Sequence, residues 1–189
     1  KSALDFLLEG EDTIPVSKGI FLSETRRLNK NICDYISSSF YDFRLKSHPV
    51  TNDRSVSLNL KNIKNEGIFY LPTDHIDCTQ KSDEEAKIIK DYCSKILGKN
   101  YTEDKQKKKM TIDDIMMVAP FNMQVNNLKK ILNKKEARIG TIDKFQGQES
   151  KVVFISMTSS DPENLPRHKE FFFSRNRLNV AISRAQCVA

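Results

Sequence analysis

Arg177 and Arg184 stand seven residues apart in RNRLNVAISRA (175–185). Read as a helix, seven residues make nearly two full turns, so both guanidiniums would project from one face, roughly 10 Å apart along the axis. A planar guanidinium with five fixed donors is suited to neutralising the charge that develops on a transferring phosphoryl group. Spacing alone favours a plainer description, an amphipathic helix with Leu178, Ile182 and Ala185 turned inward and two solvated arginines. A second polar stretch, GTIDKFQGQES (140–150), lies between two apolar runs. In it Thr141 is a natural donor to a backbone phosphate, Glu149 is a natural acceptor for ribose hydroxyls, and Gly147 allows close backbone approach. Taken alone, Gln146-Gly147-Gln148-Glu149 is more often a simple turn.

Other chemistries find less support. The pattern G-x-x-x-x-G-K-[ST] does not occur, and the nearest fragment, Gly98-Lys99-Asn100, lacks both the upstream glycine and the hydroxyl residue. Without that loop nothing cradles the α and β phosphates or offers magnesium a hydroxyl, so this chain alone is not expected to hydrolyse a nucleotide. Glu103-Asp104-Lys105 satisfies the E-x-K pattern of metal-dependent nucleases, but it falls in a charged stretch read as a loop. His48, His75 and His168 are isolated and read as surface or satisfied polar groups. Cys33, Cys78, Cys93 and Cys187 form no C-x-x-C pair and have no histidines at ligand spacing, which points to reduced thiols, an intracellular compartment and no metal site.

The elements that must hold these residues follow from two periods. GIFLS (19–23), GIFYL (67–71), DIMMVAP (114–120), ARIGT (137–141) and KVVFISM (151–157) predict strands, and several lack polar alternation, which implies burial on both faces. Between them, NKNICDYISSSFY (29–41), SDEEAKIIKDYCSKIL (82–97) and FNMQVNNLKKIL (121–132) carry helical spacing. Ile32, Ile36 and Phe40 line one face of the first, and Val125, Leu128 and Leu132 one face of the third. Ser82 with Glu85 predicts a capping box at the start of the second. Strand and helix alternate at βαβ spacing, so the expected class is α/β, a mainly parallel sheet flanked by helices. In such sheets functional groups gather beyond the carboxyl ends of the strands, which picks out the segments after Ala119, Gly140 and Met157.

Composition sets the outer bounds. The 189 residues suit one domain with a sizeable core, and 30% charged against 38% hydrophobic types is a globular balance. No run nears the roughly 20 apolar residues of a membrane span. Much of the net charge of +6 comes from KQKKKM (105–110), read as a solvated loop inside the one low-complexity patch, 98–110. That excess is compatible with a phosphate-bearing partner. No leader or signal-like segment opens the chain, and KSALDFLLEGE reads as the inside of a longer one.

In order along the chain, ETRRLNKNICDYISSSFYDFRLKS (24–47), VAPFNMQV (118–125), GTIDKFQGQE (140–149) and SRNRLNVAISRA (174–185) resemble the motifs of the second RecA-like domain of superfamily 1 helicases. The nearest branch holds the up-frameshift helicase and the bacterial helicases fused to RecB-like nucleases. Any one motif would be weak; their order and spacing carry the resemblance, over about residues 15–189. It implies a three-layer RecA-like fold of the P-loop NTPase type, filling residues 1–189 as one domain. Arg27 then matches the arginine that reaches the γ-phosphate across a domain interface, and Arg184 matches the second finger on the same phosphate. Glu149 matches the acidic residue on the nucleotide ribose, with Gly147 beside it, and Arg177 is assigned to the same cleft. Pro120, Asn122 and Thr141 fall in segments that face the nucleic-acid backbone, and Asp143 and Gln146 link the two sites. The pattern also departs from the family. Arg26 replaces the aromatic that stacks on adenine, a role a guanidinium plane can take. Asn29-Lys30 replaces His-Pro, Ala119 replaces a threonine, and Phe43 replaces a glycine.

The resemblance implies the C-terminal motor half of an ATP-dependent helicase. ATP and Mg2+ would be held mainly by an upstream RecA-like domain absent from this sequence, and the chain would stop as the strand after Arg184 begins. The implied partners are that domain, single-stranded nucleic acid with DNA ahead of RNA, and a fused nuclease domain where the branch carries one. The implied location is cytoplasmic, or nuclear in a eukaryote. A binding module that kept the fold and lost the motor is the alternative that Arg26 and Ala119 leave open.

Overall fold

The computed structural model describes residues 3–8, 10–11, 13–60, 63–160 and 174–189. In chain order the elements are α1 (Ala3–Leu8), β1 (Glu24–Thr25), α2 (Lys30–Phe40), β2 (Lys46–Ser47), β3 (Ser55–Val56), α3 (Asp83–Ile96), β4 (Asn100–Glu103), β5 (Gln106–Lys109), β6 (Ile115–Val118), α4 (Asn122–Leu132), β7 (Arg138–Gly140), β8 (Ser150–Ile155), α5 (Arg175–Ile182) and β9 (Ala185–Val188). His168 lies outside the described residues.

The apolar runs explain the architecture. Every residue of β6 is buried, because the strand sits inside a parallel sheet of order β7-β6-β8-β9 that is covered on both faces. Ile115 and Met117 pack with Ile89 of α3 and Val125 and Leu128 of α4. Met116 and Val118, pointing the other way, pack with Ile32 and Ile36 of α2 and Ile182 of α5. The result is the expected three-layer α/β fold.

Several expectations need correction. Residues 19–23 form no strand, and Ile20 and Leu22 are 89% and 80% exposed. Residues 67–71 run beside β9 through an isolated parallel bridge: the Gly67 and Phe69 amides donate to the carbonyls of Cys187 and Ala189. The lysine-rich stretch is an antiparallel hairpin of β4 and β5. Asp104 and Lys105 form its two-residue turn, both at positive φ (52° and 61°) as a type I′ turn demands. Exposed lysines along β5 are an ordinary defence of a sheet edge. Only half of the capping box forms: Ser82 Oγ accepts from the Glu85 amide at 3.1 Å, but the Glu85 carboxylate turns away to Ser156 and Thr158. The last helix ends at Ile182, so Arg177 and Arg184 do not share a helical face. β9 pairs with β8 in parallel from Ser150↔Ala185 to Val152↔Val188, with a register irregularity between the two pairs.

All four cysteines are free thiols, and burial drives Cys187 up to about 12 and Cys33 to about 11. Among the described residues no helix is long and apolar enough to cross a membrane.

Candidate functional site

Parallel strands give a sheet two unlike edges. Glu149 immediately precedes β8 and Arg184 immediately precedes β9, so both lie at the amino edge. Arg27 reaches the same edge because the start of α2 is docked on β9: the Asn29 amide donates to Gln186 O (3.1 Å) and Asn29 Nδ2 to Cys187 O (2.9 Å). Arg27 Nε donates to Glu149 Oε2 at 2.6 Å, and its NH1 has a long 3.4 Å contact with Ser183 O. Arg184 NH1 donates to Gln148 O at 3.2 Å. Three residues from distant stretches therefore meet, and they do so at the amino ends of the strands, not at the carboxyl ends that the general rule picks out.

Sequence reasoning missed the residues that frame this cluster. Gln186 Nε2 donates to Glu149 Oε1 (2.7 Å), and Lys151 Nζ donates to Gln186 Oε1 (2.5 Å). Arg138 holds the backbone beneath, donating to the carbonyls of Asp113 (2.9 Å) and Glu149 (3.1 Å) and to Gln148 Oε1 (3.0 Å). Arg54 NH1 donates to the carbonyls of Arg26 (2.9 Å) and Arg27 (2.7 Å). The only early signal was Gln186, a polar residue in a strand otherwise made of Ala, Cys and Val.

Cations outnumber carboxylates here, and Arg184 bears the consequence. Its side chain is largely buried, and Nε has no partner among the described residues. Burial first, and then the like charge of Arg27, lower its pKa, with Glu149 acting in the opposite sense. An anion placed against this edge would relieve both penalties. Gly147 lies in the left-handed region at φ +78° with nothing within 4 Å of where a Cβ would stand. Its glycine is explained by backbone conformation, not by a close neighbour.

The carboxyl edge is built differently. Pro120 follows β6, Asn122 opens α4 and is exposed, and Thr141 follows β7 and is partly exposed. No side chain caps α4 at Phe121. Support comes from below. Gln124, fully buried, accepts from Ser82 N and donates to Ser82 O and Ser156 Oγ, all at 3.0 Å. Glu85 accepts from Ser156 Oγ (2.5 Å) and Thr158 N (2.9 Å) and lies 3.2 Å from His75 Nε2. Residues 141–149 cross from this edge to the other, with exposed Asp143 and Gln146 on the way.

Arg26 and Arg177 sit apart from the cluster's side chains. Arg26 NH2 is 3.0 Å from His48 Nε2, but the Val50 amide donates to His48 Nδ1 (3.1 Å), which leaves the ring proton on Nε2. The contact is then between two donors and adds no bond to Arg26. Arg177 is exposed in the first turn of α5, whose axis, at about 1.5 Å per residue, carries it about 10 Å from the amino edge. Among the described residues no group of three or more His, Cys, Asp or Glu side chains is arranged to hold a metal ion, and no magnesium ligand is assigned to this chain.

The chain matches the family described as AAA domain over residues 4–188. It is 26% identical over 185 residues to DNA polymerase alpha-associated DNA helicase A of Schizosaccharomyces pombe, and 25% over 179 residues to the protein of that name in Saccharomyces cerevisiae. Each alignment covers 87% of this chain and 26% of the relative. DNA-binding protein SMUBP-2 of Mesocricetus auratus is 25% identical over 175 residues, covering 85% of this chain and 16% of its own length.

Proposed function

We propose that this chain, which belongs to the AAA domain family, is the C-terminal RecA-like motor domain of a superfamily 1 helicase of the up-frameshift-like branch. The supporting observation is the meeting of Arg27, Glu149 and Arg184 at one sheet edge, with Arg184 Nε buried and without a partner among the described residues. In this reading an upstream domain holds ATP and its magnesium, and closure brings the γ-phosphate against this edge. Glu149 grips Arg27 through Nε, which leaves the terminal guanidinium nitrogens to meet a phosphate. Arg184 adds a second guanidinium whose burial makes charge neutralisation more effective. Glu149 accepts from the ribose beside Gly147, and the exposed Arg26 plane stacks on the base. Arg177 stays outside this assignment because of its distance along α5.

Pro120, Asn122 and Thr141 face a single strand at the opposite edge. The span from Thr141 to Glu149 joins the two edges through Asp143 and Gln146, which is a direct route by which domain closure could move the grip on the strand. The names of the relatives above favour DNA as that strand. Backbone contacts dominate such grips, so binding should be weak in sequence preference and steeply salt-dependent.

Steady-state ATP turnover by the full-length protein, with and without a single-stranded oligonucleotide, tests this. Arg184→Ala should cut strand-stimulated turnover on the order of 10³-fold with nucleotide binding largely kept. Unchanged turnover would remove Arg184 from the chemistry, and a full-length protein with no turnover at all would point to a binding module that has lost the motor.

A further inference from the structure

Glu103, at the end of β4, has no place in the chemistry above, yet both arms of the amino edge lead back to it. Along one arm Glu103 Oε1 accepts from Lys151 Nζ (2.5 Å), Lys151 donates to Gln186 Oε1 (2.5 Å), and Gln186 Nε2 donates to Glu149 Oε1 (2.7 Å). Along the other, Arg54 Nε lies 3.7 Å from Glu103 Oε1, while Arg54 NH1 donates to the backbone of Arg26 and Arg27. The Arg27–Glu149 pair at 2.6 Å closes the circuit.

The chemistry of each link fixes its direction. The Gln186 amide sits between a cation and an anion: reversed, it would turn its oxygen on Glu149 and its NH2 on Lys151, so the two charges hold it in one orientation. The side chains of Glu103, Lys151 and Arg54 are 16%, 12% and 12% exposed, dry enough for their pairing to set geometry more firmly than a surface pair would. Burial pushes the Glu103 carboxyl up, but the Lys151 hydrogen bond and the charges of Lys151, Arg54 and Lys108 outweigh it and hold the group below the usual glutamate value. It therefore stays an anion, as both arms require.

We infer that Glu103, carried on the lysine-rich hairpin, is a positioning residue for nucleotide turnover, setting Glu149 through Lys151 and Gln186 and setting Arg27 through Arg54. This rests on the reading of Arg27 and Glu149 given above. Lys151 leads to the ribose acceptor and Arg54 to the finger, so the two arms should separate kinetically.

The test is strand-stimulated ATP kinetics of four variants of the full-length protein. Lys151→Met should raise KM for ATP about tenfold with kcat within about twofold, and Arg54→Met should lower kcat about tenfold with KM within about twofold, the scale on which outer partners act. Glu103→Gln, at the junction, should do both. A hairpin that only anchors the fold would move kcat and KM alike in all three, and that result overturns the inference. So does full turnover in Glu103→Gln beside collapse in Arg184→Ala, a pair of outcomes that leaves the helicase reading standing. Turnover surviving in Arg184→Ala sinks the reading and the inference together. Should Glu103→Gln fail to fold, the split between Lys151→Met and Arg54→Met decides the matter.

Discussion

The two edges of the sheet are finished in opposite ways. At the amino edge charged side chains pair with one another in view of solvent: Arg27 and Glu149 side chains are 34% and 44% exposed, and the Nε of the buried Arg184 beside them has no partner among the described residues. At the carboxyl edge the exposed residues, such as Asn122, are neutral, and the polar network lies beneath them, where Gln124, Ser82 and Ser156 are at most 1% exposed. A site that must answer charge developing on a phosphoryl group needs its dipoles and charges fixed beforehand. A surface that tracks any nucleic-acid backbone needs only donors on a rigid base. The contrast locates the rigidity of each edge, in side chains that would touch the ligand at one and in the floor under them at the other.

The largest change should come from breaking that floor. Gln124 treats Ser82 as a neighbouring strand would, satisfying both its N–H and its C=O, and it adds Ser156. Gln124→Leu would fill the space but leave the buried Ser82 N–H without its acceptor, while Ser82 O keeps Asn127 Nδ2 (3.2 Å) and Ser156 Oγ keeps Glu85 (2.5 Å), so it should cost about 2 kcal/mol, or roughly 30-fold in the folding equilibrium. Chemical denaturation of the chain reads this directly. A loss below about 1 kcal/mol would mean that the network is dispensable and that packing alone supports the carboxyl edge.

Thr141→Ala separates the edges functionally. Removing one hydroxyl donor to a phosphate should weaken binding of a single-stranded oligonucleotide about fivefold, near 1 kcal/mol, with KM for ATP unchanged. Fluorescence anisotropy supplies the first number and steady-state kinetics the second. A change confined to KM would transfer Thr141 to the nucleotide side and erase the distinction between the edges.

How far the sequence reached differs between the edges in the same way. Fully apolar runs such as Ile115–Val118 announce a sheet covered on both faces, and helical spacing announces α2, α3 and α4 within a residue or two. Motif order brought Arg27, Glu149 and Arg184 onto one list. What it could not supply was the frame around them, because Arg54, Glu103 and Lys151 look like ordinary solvated side chains until hairpin, sheet and loop are folded together, and Gln186 alone stood out, as a polar residue in an apolar strand. The apolar run 19–23 misled for the complementary reason: such a run marks a strand only where a neighbour offers hydrogen bonds, and here pairing begins only at its end, where Ser23 O accepts from Lys46 N. Arg184 was misplaced by continuing a helical pattern past Ile182, although Ala185–Val188, buried throughout, needs the chain to turn back into the sheet.

Acid sharpens the comparison with the smallest expected effect. Glu103 is held below the ordinary glutamate value of about 4.3 in the fold, so its contribution to stability is fully present above that value and is lost as pH falls through the lower, folded one. The stability gap between the unaltered chain and Glu103→Gln should therefore be constant from pH 7 to about 5 and close as the pH drops below about 4. Gln124 bonds directly only to uncharged groups, so the pH can reach the Gln124→Leu gap only at one remove, through the Glu85 carboxylate that Ser156 also bonds, and that gap should change less than the Glu103→Gln gap over the same span. Denaturation midpoints of the three proteins across that range make the measurement. A Glu103→Gln gap that ignores pH would mean that the carboxylate acts at the amino edge by filling space and not by charge, and the two edges would then be held by the same kind of force.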